Sequence, residues 1–393
     1  MKKHVFFYLA AAVFLAAEIS TAADTGTGGA IIARHEFRIP YSDRVASLTI
    51  SASIQGRDIV FKKEPDFQNH EIVRGAIPVG DDKKDHLCFA WDVTAKKLHV
   101  DLNRNLDLTD DAEGVFECQH YNQNSQDFVG IRFESRRTPT AVPYILRMSF
   151  FKGGRPPSCT VWITSGWYGE LELYGKKWLV TVVDNMDGSL GQGDIFILLP
   201  PRELPGVWAG RSFLERLNVP ERLFLDGHHY ELAFGFEPGI DGPRLIASFT
   251  ETQPPMAQLT IGGNNIQRLT LFSDRWENPT IILDSPEGDI SAPAGEYNRQ
   301  RVILDRGGKD GLLRAELYEK ISLDADKPKT LKIGGPLNNT VKAGRKGSSL
   351  QLNYLLIGVG GEQYTWLKNP ATPPTFTIFN GNKKIVSDSF KYG

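Results

Sequence analysis

The sequence predicts an all-β protein, a multi-domain β-sandwich, on three observations. Apolar and polar residues alternate with a period of two over many short runs. Glycine and proline, 38 and 23 in number, break those runs at intervals of roughly 8–15 residues, as two-sheet architectures require. Helix signals are scarce, and a chain of 393 residues is long enough for two or three domains.

The first two dozen residues stand apart from that pattern. Lys2, Lys3 and His4 make a basic start, residues 5–17 form a short apolar run, and Glu18 ends it. Ser20-Thr21-Ala22 or Thr21-Ala22-Ala23 then offers the small residues that a signal peptidase cleaves behind. The run is too short to span a bilayer, and no cysteine follows it to carry a lipid. The expectation is a signal peptide over 1–23 and an exported protein, periplasmic or extracellular, without an anchor. Asp24-Thr25-Gly26 copies an aspartic-protease tripeptide but falls in the cleavage tail, so it carries no hydrolytic expectation.

Beyond the leader, strand alternation covers 47–54, 98–103, 160–164, 170–174, 178–183, 258–261, 268–272, 349–356 and 375–379. In 98–103, for example, Leu98, Val100 and Leu102 alternate with His99, Asp101 and Asn103. Residues 312–323 read as strand because their flanks do. Residues 212–217, with Ser212 as cap and Glu215 three positions on, carry a short helix signal. Thr252-Gln-Pro-Pro255 looks like a linker, and a second joint falls near Ala325-Asp-Lys-Pro328. These joints divide the mature chain into an N-terminal β region (24–252) carrying the acidic loops, a middle β domain (256–327) and a C-terminal Ig-like β domain (328–393). Two stretches, 86–107 and 169–187, share one pattern: a hairpin whose second strand runs into an acidic loop.

Charge narrows the function classes. The chain is 41% hydrophobic and 23% charged, in the soluble globular range, with a net charge of −2. Loss of the leader makes the balance about −3. That mild surplus leaves no footprint for nucleic acid or an anionic membrane, and no stable membrane insertion is expected. Three cysteines in an oxidising compartment allow one pair. Cys88 and Cys118 are the preferred pair because they flank the acidic loop on what read as neighbouring strands, with Cys159 a buried thiol; three unpaired core cysteines are the alternative.

The loop at 101–113 is the most informative stretch. Asp101, Asn103, Asn105 and Asp107 alternate, and Asp110, Asp111 and Glu113 close the run around a single Arg104. Like charges about 5 Å apart cost roughly 3 kcal/mol per pair at an effective dielectric near 20. A bound dication turns that repulsion into affinity. Oxygen-only side chains suit Ca²⁺, which takes six to eight such ligands. The stretch resembles the aspartate-rich, EF-hand-like calcium loops of exported bacterial β-sandwich proteins, and is similar in spacing to dockerin and thrombospondin type 3 repeats. Carried over, the resemblance implies Asp101, Asn103 and Asn105 as ligands, either Asp110 or Glu113 as the closing acid, and Asp107 as an extra one. One departure is Leu106, where those families place glycine; a left-handed leucine costs roughly 1–2 kcal/mol, which favours a different turn.

A second loop, Asp184-Asn185-Met186-Asp187-Gly188-Ser189-Leu190-Gly191-Gln192-Gly193-Asp194, fits the same cage more loosely. With Gly188 sixth, Asn185 is third, Asp187 fifth and Asp194 twelfth, while the first position falls on Val183, for which Asp184 substitutes. The bland reading is a glycine-rich turn that Asp and Asn favour by themselves.

Other motifs carry less. His228 and His229 are adjacent, so on a strand they point to opposite faces and cannot share an ion; a turn at Asp226-Gly227 followed by a strand explains them better than zinc. Trp162, Trp167, Tyr168, Tyr174 and Trp178 offer a glycan platform, but large aromatics at alternating strand positions more often fill a core. Asn338-Asn339-Thr340 is a formal glycosylation sequon. No Gly-x-Ser-x-Gly elbow and no phosphate-cradling glycine loop occurs. The expectation is therefore an exported, non-catalytic calcium-binding β-protein whose partner is an extracellular glycan or a cell-surface protein, in an adhesive or scaffolding role. A secreted polysaccharide or peptide hydrolase, drawing carboxylates from the same loops, is the alternative; it needs two acids about 5–10 Å apart across a cleft.

Overall fold

The computed structural model describes residues 31–37, 48–52, 59–80, 85–135, 141–153, 157–187, 190–191, 193–199, 217–240, 242–275, 277–305, 311–367 and 373–390. The expected leader, the Asp24 tripeptide and nearly all of the helix signal at 212–217 lie outside them. The described residues form 31 strands and no helix, an all-β architecture of several sheets consistent with a multi-domain sandwich.

The N-terminal half holds three sheets. One runs β3 (Ile72–Pro78), β4 (His86–Asp92), β5 (Lys97–Val100), β6 (Val115–Glu117) in order. The second has the order β2 (Leu48–Ala52), β10 (Ser158–Ile163), β9 (Pro143–Phe151), β8 (Ser125–Glu134), β7 (His120–Tyr121). The third is β11 (Trp167–Leu173), β12 (Lys176–Val183), β13 (Ile195–Leu199), β14 (Leu217–Asn218). Alternation along β4 explains why both its faces are buried. Leu87, Phe89 and Trp91 enter the main core, where the Trp91 and Phe150 rings stack 4.6 Å apart, while Cys88 and Ala90 face a small second core with Phe61 and Leu108. Trp91 Nε1 donates to Gln126 Oε1 at 2.8 Å, so the buried indole is satisfied.

An eleven-stranded sheet joins strands from both halves of the chain. Its order is β1 (Ile31–Phe37), β17 (Arg244–Thr252), β16 (His228–Glu237), β15 (Arg222–Leu225), β20 (Thr280–Asp284), β19 (Ile266–Phe272), β23 (Arg299–Asp305), β24 (Leu312–Leu317), β29 (Gln363–Trp366), β28 (Ser349–Ile357) and β27 (Asn338–Lys346). The parallel pairing of β15 with β20 carries it across the proline linker. A third core, spanning Phe224 to Tyr364, lies along its C-terminal part. Smaller sheets pair β18 (Met256–Ile261) with β21 (Gly288–Pro293) and β26 (Lys329–Leu331), β22 (Gly295–Tyr297) with β25 (Ile321–Leu323), and β30 (Thr375–Asn380) with β31 (Lys383–Ser389). The stretch expected as an Ig-like unit is thus spread over three sheets: β26 joins β18, β27 to β29 extend the long sheet, and β30 with β31 form a hairpin of their own.

The preferred disulfide does not form. All three cysteines are free thiols. Cys118 N bonds Lys96 O at the turn end of the β4–β5 hairpin, whereas Cys88 O accepts from Asp101 N at the other end, with β5 between. The two are separated by a strand's width and most of its length, well beyond the roughly 7 Å that a disulfide tolerates.

Candidate metal centre

The two loops that the sequence singled out occupy equivalent places, each following the second strand of a hairpin. Asp101 comes directly after β5 and Asp184 directly after β12. The first loop has Arg104 in the left-handed region at φ +57°, and each loop has one bulky apolar residue there, Leu106 at φ +67° and Met186 at φ +70°. Each gives that apolar residue's carbonyl to a neighbouring segment: Leu106 O accepts from Lys62 N and Met186 O from Gly80 N, at 2.8 and 2.7 Å.

In the second loop the ladder itself assembles the site. Val183 and Ile195 are register partners on β12 and β13, so the adjacent residues Asp184 and Asp194 emerge side by side. Asn185 folds the chain back, its Oδ1 accepting from Asp187 N at 2.7 Å and its Nδ2 donating to Asp187 Oδ2 at 2.9 Å. One oxygen from each of Asp184, Asp187 and Asp194 then lies within 4.8 Å of the others. Asp184 and Asp194 are only 2% and 1% exposed. Backbone donors hold them: Met186 N to Asp184 Oδ1, Asn185 N to Asp194 Oδ1 and Gly191 N to Asp194 Oδ2, each at 2.7 Å. Tyr144, on β9, donates its hydroxyl to Asp184 Oδ2 at 3.0 Å. No local signal marks that tyrosine, because it reaches the loop only through the fold. Burial, followed by the charges of Asp184 and Asp187, pushes the Asp194 carboxyl up to about 7, against the lowering effect of the Gly191 and Asn185 N–H groups. Three acids crowded together, two of them buried, destabilise one another's charge, and a cation among them would relieve that. The donors are all oxygens, with no His or Cys, which selects a hard ion of the Ca²⁺ or Mg²⁺ kind.

The first loop is closed by its own hydrogen bonds. Asp101 is fully buried and accepts from Asn105 N and Leu106 N at 3.0 and 2.9 Å. Asp110 receives the side-chain amides of Asn103 and Asn105, at 3.0 and 2.7 Å. Asp111 caps Leu102 N and Asn103 N, and Asp107 takes both the N–H and hydroxyl of Thr109. Glu113 is exposed. The loop's one cation turns away: Arg104 donates to Asp85 Oδ2 at 2.6 Å and Glu134 O at 2.9 Å. Its acids are therefore gathered chiefly by amide and hydroxyl donors of the loop itself, with Lys63 and Lys62 also acting on Asp107. Leu106 does take the left-handed turn that glycine normally provides, and its side chain packs against the small core of Phe61 and Leu108. That contact, with the bonds at both its N–H and its carbonyl, offsets the backbone strain. Among the described residues, the group of three acids that comes within 4.8 Å is in the second loop, so the fold brings Asp184, Asp187 and Asp194 closer than the acids of the better sequence match.

The remaining motifs resolve as follows. His228 and His229 do point to opposite faces after a turn at Asp226-Gly227; His228 Nδ1 pairs with Glu251 Oε1 at 2.8 Å, while buried His229 bonds Thr252 Oγ1. Trp167 and Trp178 are core residues, 3% exposed each, and Trp162 lies beneath the Arg147 guanidinium. Tyr168 and Tyr174 stay on the surface. No known family model matches this chain, and neither the curated proteins nor the solved structures hold a significant match to it.

Proposed function

We propose that this chain is an exported, non-catalytic calcium-binding β-protein with an adhesive or scaffolding role at or outside the cell surface. Asp184, Asp187 and Asp194 hold the ion, with Asn185 ordering the turn, and the ion locks the connection between β12 and β13. The observation that carries this reading is the set of three carboxylates within 4.8 Å, two of them buried, at the end of one ladder rung. Asp101, Asn103, Asn105, Asp107, Asp110 and Glu113 supply a second, weaker site, in which Asn103 and Asn105 must turn their amide oxygens inward and release Asp110.

The test is a melting curve of the full chain in EDTA and in excess Ca²⁺. An ion held at a hundredfold excess over its dissociation constant stabilises the folded state by about 2.7 kcal/mol, a rise of several degrees. Equal melting temperatures in chelator and in millimolar calcium would sink the proposal. Terbium offers a direct readout, since Tyr144 sits on the site and sensitises a lanthanide bound there; quenching by added Ca²⁺ is expected.

A further inference from the structure

We propose that two adjoining hairpin turns, Tyr174-Gly175 and Asp226-Gly227, form a carbohydrate-binding subsite with the open face of Tyr174 as its stacking platform. The starting point is a residue in the wrong kind of place. Both turns have two consecutive left-handed residues: φ is +52° and +88° at Asp226 and Gly227, and +49° and +75° at Tyr174 and Gly175. Asp-Gly is what such a two-residue turn prefers. A bulky aromatic in the first position is an outlier that its surroundings must hold.

The holding is specific. The Tyr174 hydroxyl donates to Glu251, and the phenol ring stacks on the His228 imidazole with centroids 3.7 Å apart and planes at 12°. His228 Nδ1 is 2.8 Å from the other Glu251 oxygen, and Lys176 Nζ ties the two turns together 3.0 Å from Asp226 Oδ1. Lys176 of β12, His228 of β16 and Glu251 of β17 thus gather with the two turns around one ring. Tyr174 is nonetheless 56% exposed. With the imidazole covering one face, that exposure belongs to the edge and the opposite face.

A flat, rigid, exposed aromatic face loses little conformational freedom on binding. Its ring quadrupole presents negative charge, which suits the C–H face of a pyranose. Around the ring stand acceptors (Glu251, Asp226) and a donor (Lys176), the mixture that sugar hydroxyls require. The Tyr174 hydroxyl, and after it His228, hold the Glu251 carboxyl below the usual range, so it is an ionised acceptor. An organic cation would also like the ring face, but Lys176 repels it and one ring makes no cage. None of the proposed calcium ligands belongs to this surface, so the inference stands or falls apart from the calcium reading.

The test is affinity electrophoresis of the full chain in native gels containing hydroxyethylcellulose, arabinoxylan, laminarin, glucomannan or glycol chitin, each run in EDTA and in Ca²⁺. Retardation by at least one polymer is expected, equal in both buffers. Tyr174→Gly suits the backbone of the turn, so it removes the ring without threatening the fold, and should weaken retardation about tenfold or more. Tyr174→Phe keeps the ring and should stay within about threefold of wild type. No retardation by any of the five polymers overturns the proposal. So does a Tyr174→Gly protein that is retarded like wild type, or binding of tetramethylammonium at this ring in place of sugar.

Discussion

Replacing Asp194 by asparagine should change the sign of its effect with pH, and the structure sets the size. In the metal-free protein the Asp194 carboxyl is raised from 3.8 to about 7, by burial first and then by Asp184 and Asp187. A carboxyl raised in the folded state binds protons there more tightly than in the unfolded chain. Its contribution to stability is therefore fully present below about pH 4 and is lost as pH rises through about 7. At about 1.4 kcal/mol per pH unit, the full displacement is worth roughly 4 kcal/mol against the folded state in mild alkali. Asparagine carries no charge and escapes that penalty, but its amide nitrogen cannot accept the hydrogen bond now made by either Asn185 N or Gly191 N. Leaving one buried N–H unpaired costs about 1–3 kcal/mol. In EDTA at pH 8, Asp194→Asn should thus be more stable than wild type by about 1–3 kcal/mol, and at pH 4.5, where wild type has lost only about 1 kcal/mol, less stable by up to about 2 kcal/mol. In excess Ca²⁺ at pH 8 the order reverses, because only wild type gains the binding energy. Urea melts under these three conditions decide the matter. A variant that is weaker than wild type at both pH values in EDTA, or that keeps the calcium response, would refute the reasoning.

Other perturbations test the frame around the site. Asp101→Ala strips the acceptor from Leu106 N and one of two from Asn105 N; a loss of about 2–4 kcal/mol is expected in chelator as well as in calcium, and an unchanged denaturation midpoint would show that the buried carboxylate does not hold the loop. Gly263→Ala would set a methyl 1.9 Å from the Ile333 carbonyl oxygen, against backbone that cannot turn aside; a drop of about 3 kcal/mol in a urea melt is the expected outcome. Thiol titration should find Cys118, the least buried of the three, reacting first, with Cys88 and Cys159 released only by denaturant. Burial pushes the Cys159 thiol far up and that of Cys118 up less. A count of one thiol in denaturant would show that two of the three are bonded.

What the chain determined by itself was local. Period-two alternation names the strands, including 312–323, which splits into β24 and β25, and the adjacency of His228 and His229 already places them on opposite faces. Spacing of oxygen-bearing residues marks both acidic loops, and the hairpin preceding each is plain from pattern. Tertiary structure decided the rest, since it depends on which strands become neighbours. Asp184 and Asp194 meet because Val183 and Ile195 share a ladder rung, whereas the denser first loop spends its carboxylates on its own amides. Arg104 leaves that loop for Asp85, a partner 19 residues back. Trp167 and Trp178 fill the core while Tyr174, a few residues from each, rests on an imidazole contributed by β16. Spacing along a strand specifies a face, but whether that face meets another sheet, water or a third acid is a property of the pairing, and the pairing is set by the burial of the whole chain.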